Sequence, residues 1–163
     1  MRIGLWGAGF LVAATVTALA APAQAVDASF GGQLSYGFGL SDEDGDAALG
    51  IGGRVVLDLG EQKPGLEAIG SFDYFFPSEE GVDLSYWEIN ANLVYNLSPM
   101  GNVRPYAGAG LDLAHASVEG FDGRTDAGLN LVGGLKLSRN VFVETRIELG
   151  GGEQVVLSAG YRF

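Results

Sequence analysis

Hydrophobic and polar residues alternate with a period of two along most of the chain. Successive side chains of a β-strand point to opposite faces, so this alternation predicts strands with one apolar and one polar face. Clusters of Gly, Pro, Asp, Asn and Ser separate the alternating segments and indicate turns. The pattern predicts eight strands, at Ser29–Leu40, Ala47–Leu59, Leu66–Phe76, Leu84–Leu97, Arg104–His115, Gly128–Leu137, Val141–Leu149 and Gln154–Phe163. The chain is therefore expected to be all-β.

The connections between these strands also alternate in character. Turns carrying Pro, Gly or Asn are predicted at 60–65, 98–103 and 138–140, and mostly longer or more acidic connections at 41–46, 77–83, 116–127 and 150–153. An even number of strands, with short turns at one end and longer loops at the other, is typical of outer-membrane barrels. The sequence therefore predicts an eight-stranded antiparallel up-and-down transmembrane β-barrel, formed by residues 26–163.

One face of every predicted strand carries no charge, whereas the opposite face is mixed. In the fourth strand the charge-free face holds Trp87, Ile89, Ala91, Leu93 and Tyr95, and the mixed face holds Glu88, Asn90 and Asn92. The mixed faces are rich in Gly, Ser and Asn, as the narrow lumen of an eight-stranded barrel requires. The outward aromatic residues lie near the predicted strand ends, where a membrane barrel has its aromatic girdles. A soluble barrel with the apolar faces inside, which would bind an apolar ligand, is the alternative.

The first 25 residues have the three parts of a secretory signal peptide. Arg2 supplies a positive charge, residues 3–21 are uncharged and mostly apolar, and Ala23-Gln24-Ala25 is a small-x-small cleavage site. Cleavage after Ala25 and export of the remaining chain are expected. A retained membrane anchor is the alternative, because 19 mostly apolar residues are just long enough to span a bilayer.

The amino-acid composition excludes several kinds of binding and catalytic site. The chain of 163 residues fits one domain. Its formal charge of -11 argues against binding to nucleic acid, which needs clustered Lys and Arg. The absence of cysteine and the single histidine exclude a disulfide framework, a Cys-ligated zinc and an ordinary His-rich metal site. No cofactor is expected.

Two segments resemble a known family. Residues 103–110 read V-R-P-Y-A-G-A-G, which resembles the V-x-P-Y-x-G-x-G strand start of small outer-membrane barrels of the OmpA/OmpX type. The last strand alternates apolar residues and ends in Tyr161-Arg162-Phe163. It resembles the C-terminal signal that the outer-membrane assembly machinery recognises, with Tyr161 and Phe163 as its aromatic residues.

The resemblance implies a location and partners. The expected location is the bacterial outer membrane, reached through the cleaved signal peptide, with both termini in the periplasm. The expected partners are outer-membrane lipid and lipopolysaccharide, and the assembly machinery during biogenesis. The protein is expected to be a monomer that consists of the barrel domain, without the peptidoglycan-binding domain of full-length OmpA.

The inward faces predict a network of charges in the lumen. Its members are Arg54, Asp73, Glu88, Asp112, Lys136, Glu144, Arg146 and Glu148. A buried ion needs a partner, and an eight-stranded lumen is just wide enough for side chains. The network is therefore expected to plug the barrel, which indicates a structural or surface-interaction role. A small ion channel is the alternative.

A second candidate for chemistry is His115-Ala116-Ser117. It resembles the H-x-S pair of the lipid A deacylases, which are eight-stranded outer-membrane barrels with a Glu as third catalytic member, and Glu119 lies nearby. The resemblance implies a lipid A-modifying enzyme as an alternative. A lone His with a neighbouring Ser and Glu is a weak triad signal, so an interfacial histidine in a protein that is not an enzyme is the preferred interpretation.

A third candidate is the acidic segment between the first two strands. It contains Asp42, Asp44 and Asp46 around Gly45. This resembles part of a calcium loop, but the full D-x-[DN]-x-[DN]-G spacing with its distant Glu is missing. A solvated acidic loop is expected, with weak Ca²⁺ or Mg²⁺ binding as the alternative.

Overall fold

The fold is that of a computed structural model of the chain, which describes residues 26–39, 47–61, 63–77, 84–118, 123–150 and 153–163. These residues form the strands β1 (Asp27–Gly39), β2 (Ala47–Asp58), β3 (Leu66–Phe76), β4 (Leu84–Asn96), β5 (Arg104–Val118), β6 (Arg124–Lys136), β7 (Val141–Gly150) and β8 (Gln154–Arg162). In this part of the chain, no helix is long and apolar enough to cross a membrane.

Each strand pairs antiparallel with the next, and β1 pairs with β8 to close the barrel. The first and last strands meet along nine residue pairs, from Gly31 with Arg162 to Gly39 with Gln154. Closure leaves no unpaired strand edge, which a barrel needs in lipid. The predicted fold class and the number of strands are confirmed.

The two ends of the barrel differ. The turn end carries both described termini and the connections 59–65, 97–103 and 137–140. Two of these turns contain a glycine with positive φ, Gly65 at 87° and Gly101 at 63°, a conformation that other residues rarely adopt. The loop end, opposite, carries the connections of which the structure describes only parts. The predicted turn positions are thus confirmed at the turn end.

The apolar face points outward. Leu34 and Leu129 are 60% and 59% exposed, whereas the inward Arg146 is 1% exposed. Large hydrophobic residues cover the outside of every strand, and aromatic pairs such as Tyr74 with Phe76 lie on the outside toward the loop end. A surface this apolar belongs in lipid. The alternative with the apolar residues inside is wrong.

Spin labels test this orientation. Labels at Leu111, Leu131 and Leu157 should be accessible to oxygen dissolved in the bilayer, because these side chains are outward and exposed. Labels at Asn130 and Ser158 should be shielded from oxygen, because both side chains are buried in the lumen. Power-saturation electron paramagnetic resonance measures the difference. The reverse order of accessibility would place the apolar face inside.

The hairpin between β5 and β6 is longer than predicted. The prediction ended the fifth strand at His115 and began the sixth at Gly128, but pairing continues to Ala116 with Arg124. The exposed apolar residues on the outside of the barrel form a belt, called the apolar belt below. The alternation of apolar residues stops before the strands do, because the polar residues Thr125 and Asp126 lie beyond this belt. The pattern therefore marked the end of the belt and missed the end of the strands.

The inward face also holds an apolar cluster that the prediction missed. Its members are Val56, Ile69, Val94, Tyr106 and Val132. All are at most 4% exposed, so they fill the lumen as a hydrophobic core does. The sequence analysis described these faces by their charged residues and by Gly, Ser and Asn; the structure shows that large apolar side chains fill part of the lumen as well.

Candidate functional site

Arg146 lies at the centre of the buried charges. It extends inward from β7, and its Nε lies 2.6 Å from Glu148 Oε1 on the same strand. Its Nη2 lies 2.9 Å from Glu88 Oε2 on β4 and 3.4 Å from Asp73 Oδ2 on β3. One guanidinium thus faces three carboxylates, and the group Arg146, Asp73, Glu88 and Glu148 is called the central network below.

Neutral side chains complete the central network. Gln154 Nε2 donates to Glu148 Oε2 at 2.9 Å and also to Glu88 Oε1, and the Tyr86 hydroxyl donates to Glu88 at 2.6 Å. On the other side, Asp73 Oδ1 accepts hydrogen bonds from Gln33 Nε2 at 2.7 Å and from Ser35 Oγ at 2.8 Å. These charge-assisted hydrogen bonds stabilise the carboxylates in a place without bulk water.

A second ion pair lies nearer the turn end. Arg54 Nη2 of β2 lies 2.7 Å from Glu144 Oε1 of β7, and both side chains are buried. The Tyr106 hydroxyl donates to the other carboxylate oxygen of Glu144 at 2.7 Å. The guanidinium of Arg54 also stacks over the Phe142 ring, 3.9 Å from its centroid. The carboxylate and the guanidinium are therefore both held from two sides.

A third ion pair lies at the mouth of the turn end. Lys136 Nζ lies 2.6 Å from Glu67 Oε1, and Arg162 Nη1 lies 3.9 Å from the same oxygen. The space between this pair and Arg54 has a volume of about 20 Å³, which is enough for about one water molecule. This part of the lumen is therefore filled by side chains.

The structure thus places the predicted lumen residues on the inside of the barrel and pairs most of them. Glu144 lies two residues from Arg146 on β7, but it pairs with Arg54 of β2 instead. Asp112 is buried, and neither of its carboxylate oxygens has a hydrogen-bond partner among the described residues. The prediction missed Glu67 as the partner of Lys136 within the named network, and Tyr86, Tyr106 and Gln154 as neutral partners. The only sequence signal for these residues was that the alternation places them at inward-facing positions.

His115 and Ser117 occupy outward-facing positions of β5, toward the loop end. The His115 ring stacks on Trp87 with centroids 5.0 Å apart, and its Nδ1 lies 2.7 Å from Thr125 Oγ1 on β6. In a catalytic triad this nitrogen faces a carboxylate. Among the described contacts the hydroxyl of Thr125 occupies that place, and Glu119 lies outside the described residues.

The predicted metal-ligating residues Asp42, Asp44 and Asp46 lie outside the described residues as well. In the ranges that the structure does describe, no group of three or more His, Cys, Asp or Glu side chains has an arrangement that could hold a metal ion.

The chain matches one family model. The model is that of the outer membrane protein beta-barrel domain, and the match covers residues 11–163. The chain belongs to this family. The buried ion pairs are therefore in the lumen of an outer-membrane barrel, and the exposed apolar belt faces lipid. Among curated proteins, none matches the chain.

Solved structures share the fold of this outer-membrane barrel. The crystal structure of Neisserial surface protein A (NspA) is 18% identical with a TM-score of 0.66, and the match covers 85% of this chain and 98% of that one. The N-terminal β-barrel domain of Pseudomonas aeruginosa OprF is 17% identical with a TM-score of 0.56, covering 85% and 99%. The outer membrane enzyme PagL is 13% identical with a TM-score of 0.48, covering 80% and 98%. For NspA and OprF, identities this low show the fold alone.

Proposed function

We propose that this protein is a monomeric outer-membrane barrel with a closed lumen and a structural or surface-interaction role. The observation that carries the proposal is that its ion pairs cross the lumen. Arg146 on β7 reaches Asp73 on β3, four strands away and therefore on the opposite wall of an eight-stranded barrel. Side chains that join opposite walls leave no continuous path through so narrow a lumen.

Two more crossings support closure. Arg54 joins β2 to β7, and Lys136 joins β6 to β3, so each spans three strands. The apolar cluster that contains Val94 and Val132 fills the inward positions near them. Charged and apolar side chains thus close the barrel at several heights, so the movement of one side chain would give at most a transient opening.

The orientation and partners of the barrel are part of this proposal. Short turns face the periplasm in outer-membrane barrels, so the turn end with both described termini would be periplasmic and the loop end extracellular. There the acidic loops would meet lipopolysaccharide, and the apolar belt would contact lipid. Tyr161 and Phe163 are outward and more than half exposed, which suits recognition by the assembly machinery. No catalytic role is proposed, because Thr125 stands where a triad would have its carboxylate.

Planar-bilayer recording tests the closed lumen. Purified wild-type protein should give no sustained open-channel current, because the crossing ion pairs occlude the lumen. The Arg146→Ala variant should show more frequent transient openings, since its three carboxylates would then repel one another and draw in water. The Arg124→Ala variant is the control, because Arg124 also forms an ion pair but its side chain is exposed. A stable, porin-sized conductance step from the wild type would contradict the proposal and favour the channel.

A further inference from the structure

The turn end of the barrel has an open cavity of about 790 Å³. Its wall includes residues of the connections 97–103 and 137–140. Its floor is the ion pair of Lys136 with Glu67, because the space between that pair and Arg54 is only about 20 Å³. The cavity, called the turn-end cavity below, is therefore closed toward the lumen, and its volume is within the range of about 300–1,000 Å³ that is typical of small-molecule sites.

Basic side chains predominate in the turn-end cavity, although the whole chain has a formal charge of -11. The charged residues that line it are the bases Arg104, Lys136, Arg139 and Arg162 and the acids Asp58 and Glu67. The other acids of the turn end in the described part of the chain, Asp27 and Glu61, do not line it, and neither does Phe163. Four bases against two acids leave the cavity with an excess of positive charge.

Two of the bases share one acid. Lys136 Nζ lies 2.6 Å from Glu67 Oε1, and Arg162 Nη1 lies 3.9 Å from the same oxygen. Arg162 Nη2 also donates to the backbone oxygen of Arg139 at 3.4 Å. One carboxylate therefore holds two cations side by side but neutralises the charge of only one of them.

The other two bases are held close to these cations. Arg104 is directly opposite Lys136 in the pairing of β5 with β6, and like charges in opposite positions of paired strands are destabilising. Arg104 and Arg139 are exposed, and the ion pairs among the described residues include neither of them. Asp58, the second acid, accepts a hydrogen bond from the Gly60 backbone N–H at 2.7 Å. An anion in the cavity would relieve the repulsion between Arg104 and Lys136.

We propose that the turn-end cavity binds a small oxyanion with at least two negative charges, through Arg104, Arg139 and Arg162. Guanidinium groups bind phosphate and carboxylate oxygens in the same bidentate way, so a phosphate ester and a polycarboxylate share the chemistry that this site recognises. Asn102 and Ser138 also line the cavity and add neutral donors. Because the floor is closed, the anion binds at the mouth without entering the lumen, whichever side of the membrane the turn end faces.

Isothermal titration calorimetry of the folded protein in a non-ionic detergent tests the site, with inorganic pyrophosphate and citrate as probes. In about 0.1 M NaCl, where the Debye length is about 10 Å, at least one probe should bind with one molecule per barrel. Arg104→Ala and Arg139→Ala should each weaken that binding about tenfold, the contribution of roughly one hydrogen bond to a charged group. Both variants should melt with the wild type, because neither side chain belongs to a described ion pair. Tighter binding of pyrophosphate would indicate a phosphate-bearing ligand, and tighter binding of citrate a polycarboxylate.

Lys63→Ala is the matched control. Lys63 lies in the connection 59–65 at the same end of the barrel but does not line the cavity, so this variant removes the same charge from outside the site. It should change the affinity by less than about twofold, because salt screens charges beyond the Debye length. A loss as large as that of Arg104→Ala would indicate general attraction to a basic surface and would overturn the site. Absence of binding of both probes to the wild type, or unchanged affinity in the double variant Arg104→Ala, Arg139→Ala, would overturn it as well. None of these results bears on the closed lumen, which bilayer recording tests separately.

Discussion

Replacing Arg146 by alanine should reduce the free energy of unfolding by about 3–5 kcal/mol. The guanidinium is the described counter-charge of Asp73, Glu88 and Glu148, so its loss leaves three buried carboxylates next to one another. Gln154 and Tyr86 still donate hydrogen bonds to two of them, but neutral donors do not cancel charge. Equilibrium unfolding in urea from lipid vesicles measures the change, and loss of heat-modifiability on gels should accompany it.

Arg124→Ala is the matched control for this loss. Arg124 also forms an ion pair, with Nε 2.6 Å from Asp126 Oδ2, but its side chain is 81% exposed. Exposed pairs contribute about 0–1 kcal/mol, so this variant should unfold almost as the wild type does. If the two variants were equally stable, the central network would not hold the barrel together.

The fold was predictable because the strand pattern, the turn residues and the order of the strands all indicate an antiparallel barrel. Period-two alternation predicts strands, and Gly65 and Gly101 stand in turns that need positive φ. Chain order then gives a meander. The exception is the end of the hairpin around Thr125, where the strands continue beyond the apolar belt and alternation no longer reports on them.

The pairing inside the lumen was less predictable. The alternation along each strand shows which residues point inward, and it placed Arg54, Glu144 and Arg146 correctly. It does not show which of them meet, because contacts across the lumen depend on how far the strands are staggered when the barrel closes. Glu144 therefore pairs with Arg54 of β2 rather than with Arg146, its neighbour by two residues on the same strand. The burial of Val56 and Val132 beside charges depends on the same stagger.

Two adjacent glycines on β6 test how tightly the lumen is packed. Gly134 points inward, and a Cβ there would collide with the ring and hydroxyl of Tyr106, whereas a Cβ on the outward Gly133 would meet nothing within 4 Å. Tyr106 is 3% exposed, so its ring has little room to move. If the ring does move, its hydrogen bond to Glu144 is strained or lost, and Glu144 is the partner of Arg54.

Gly134→Ala should therefore reduce the free energy of unfolding by roughly 2–6 kcal/mol, which combines about 1–3 kcal/mol for overpacking with about 1–3 kcal/mol for a buried hydrogen-bonding group left unsatisfied. Gly133→Ala should change it by less than about 0.5 kcal/mol, since exposed substitutions away from special features are nearly neutral. Both variants add the same methyl group to the same strand, so differences in strand propensity cancel. Urea unfolding of the two in parallel gives the comparison.

A Gly134→Ala barrel as stable as Gly133→Ala would mean that Tyr106 has space to move and that the lumen near Glu144 is not packed. In that case a second substitution, Tyr106→Phe, should also be neutral, because the hydroxyl would then contribute nothing to the pairing of Glu144 with Arg54.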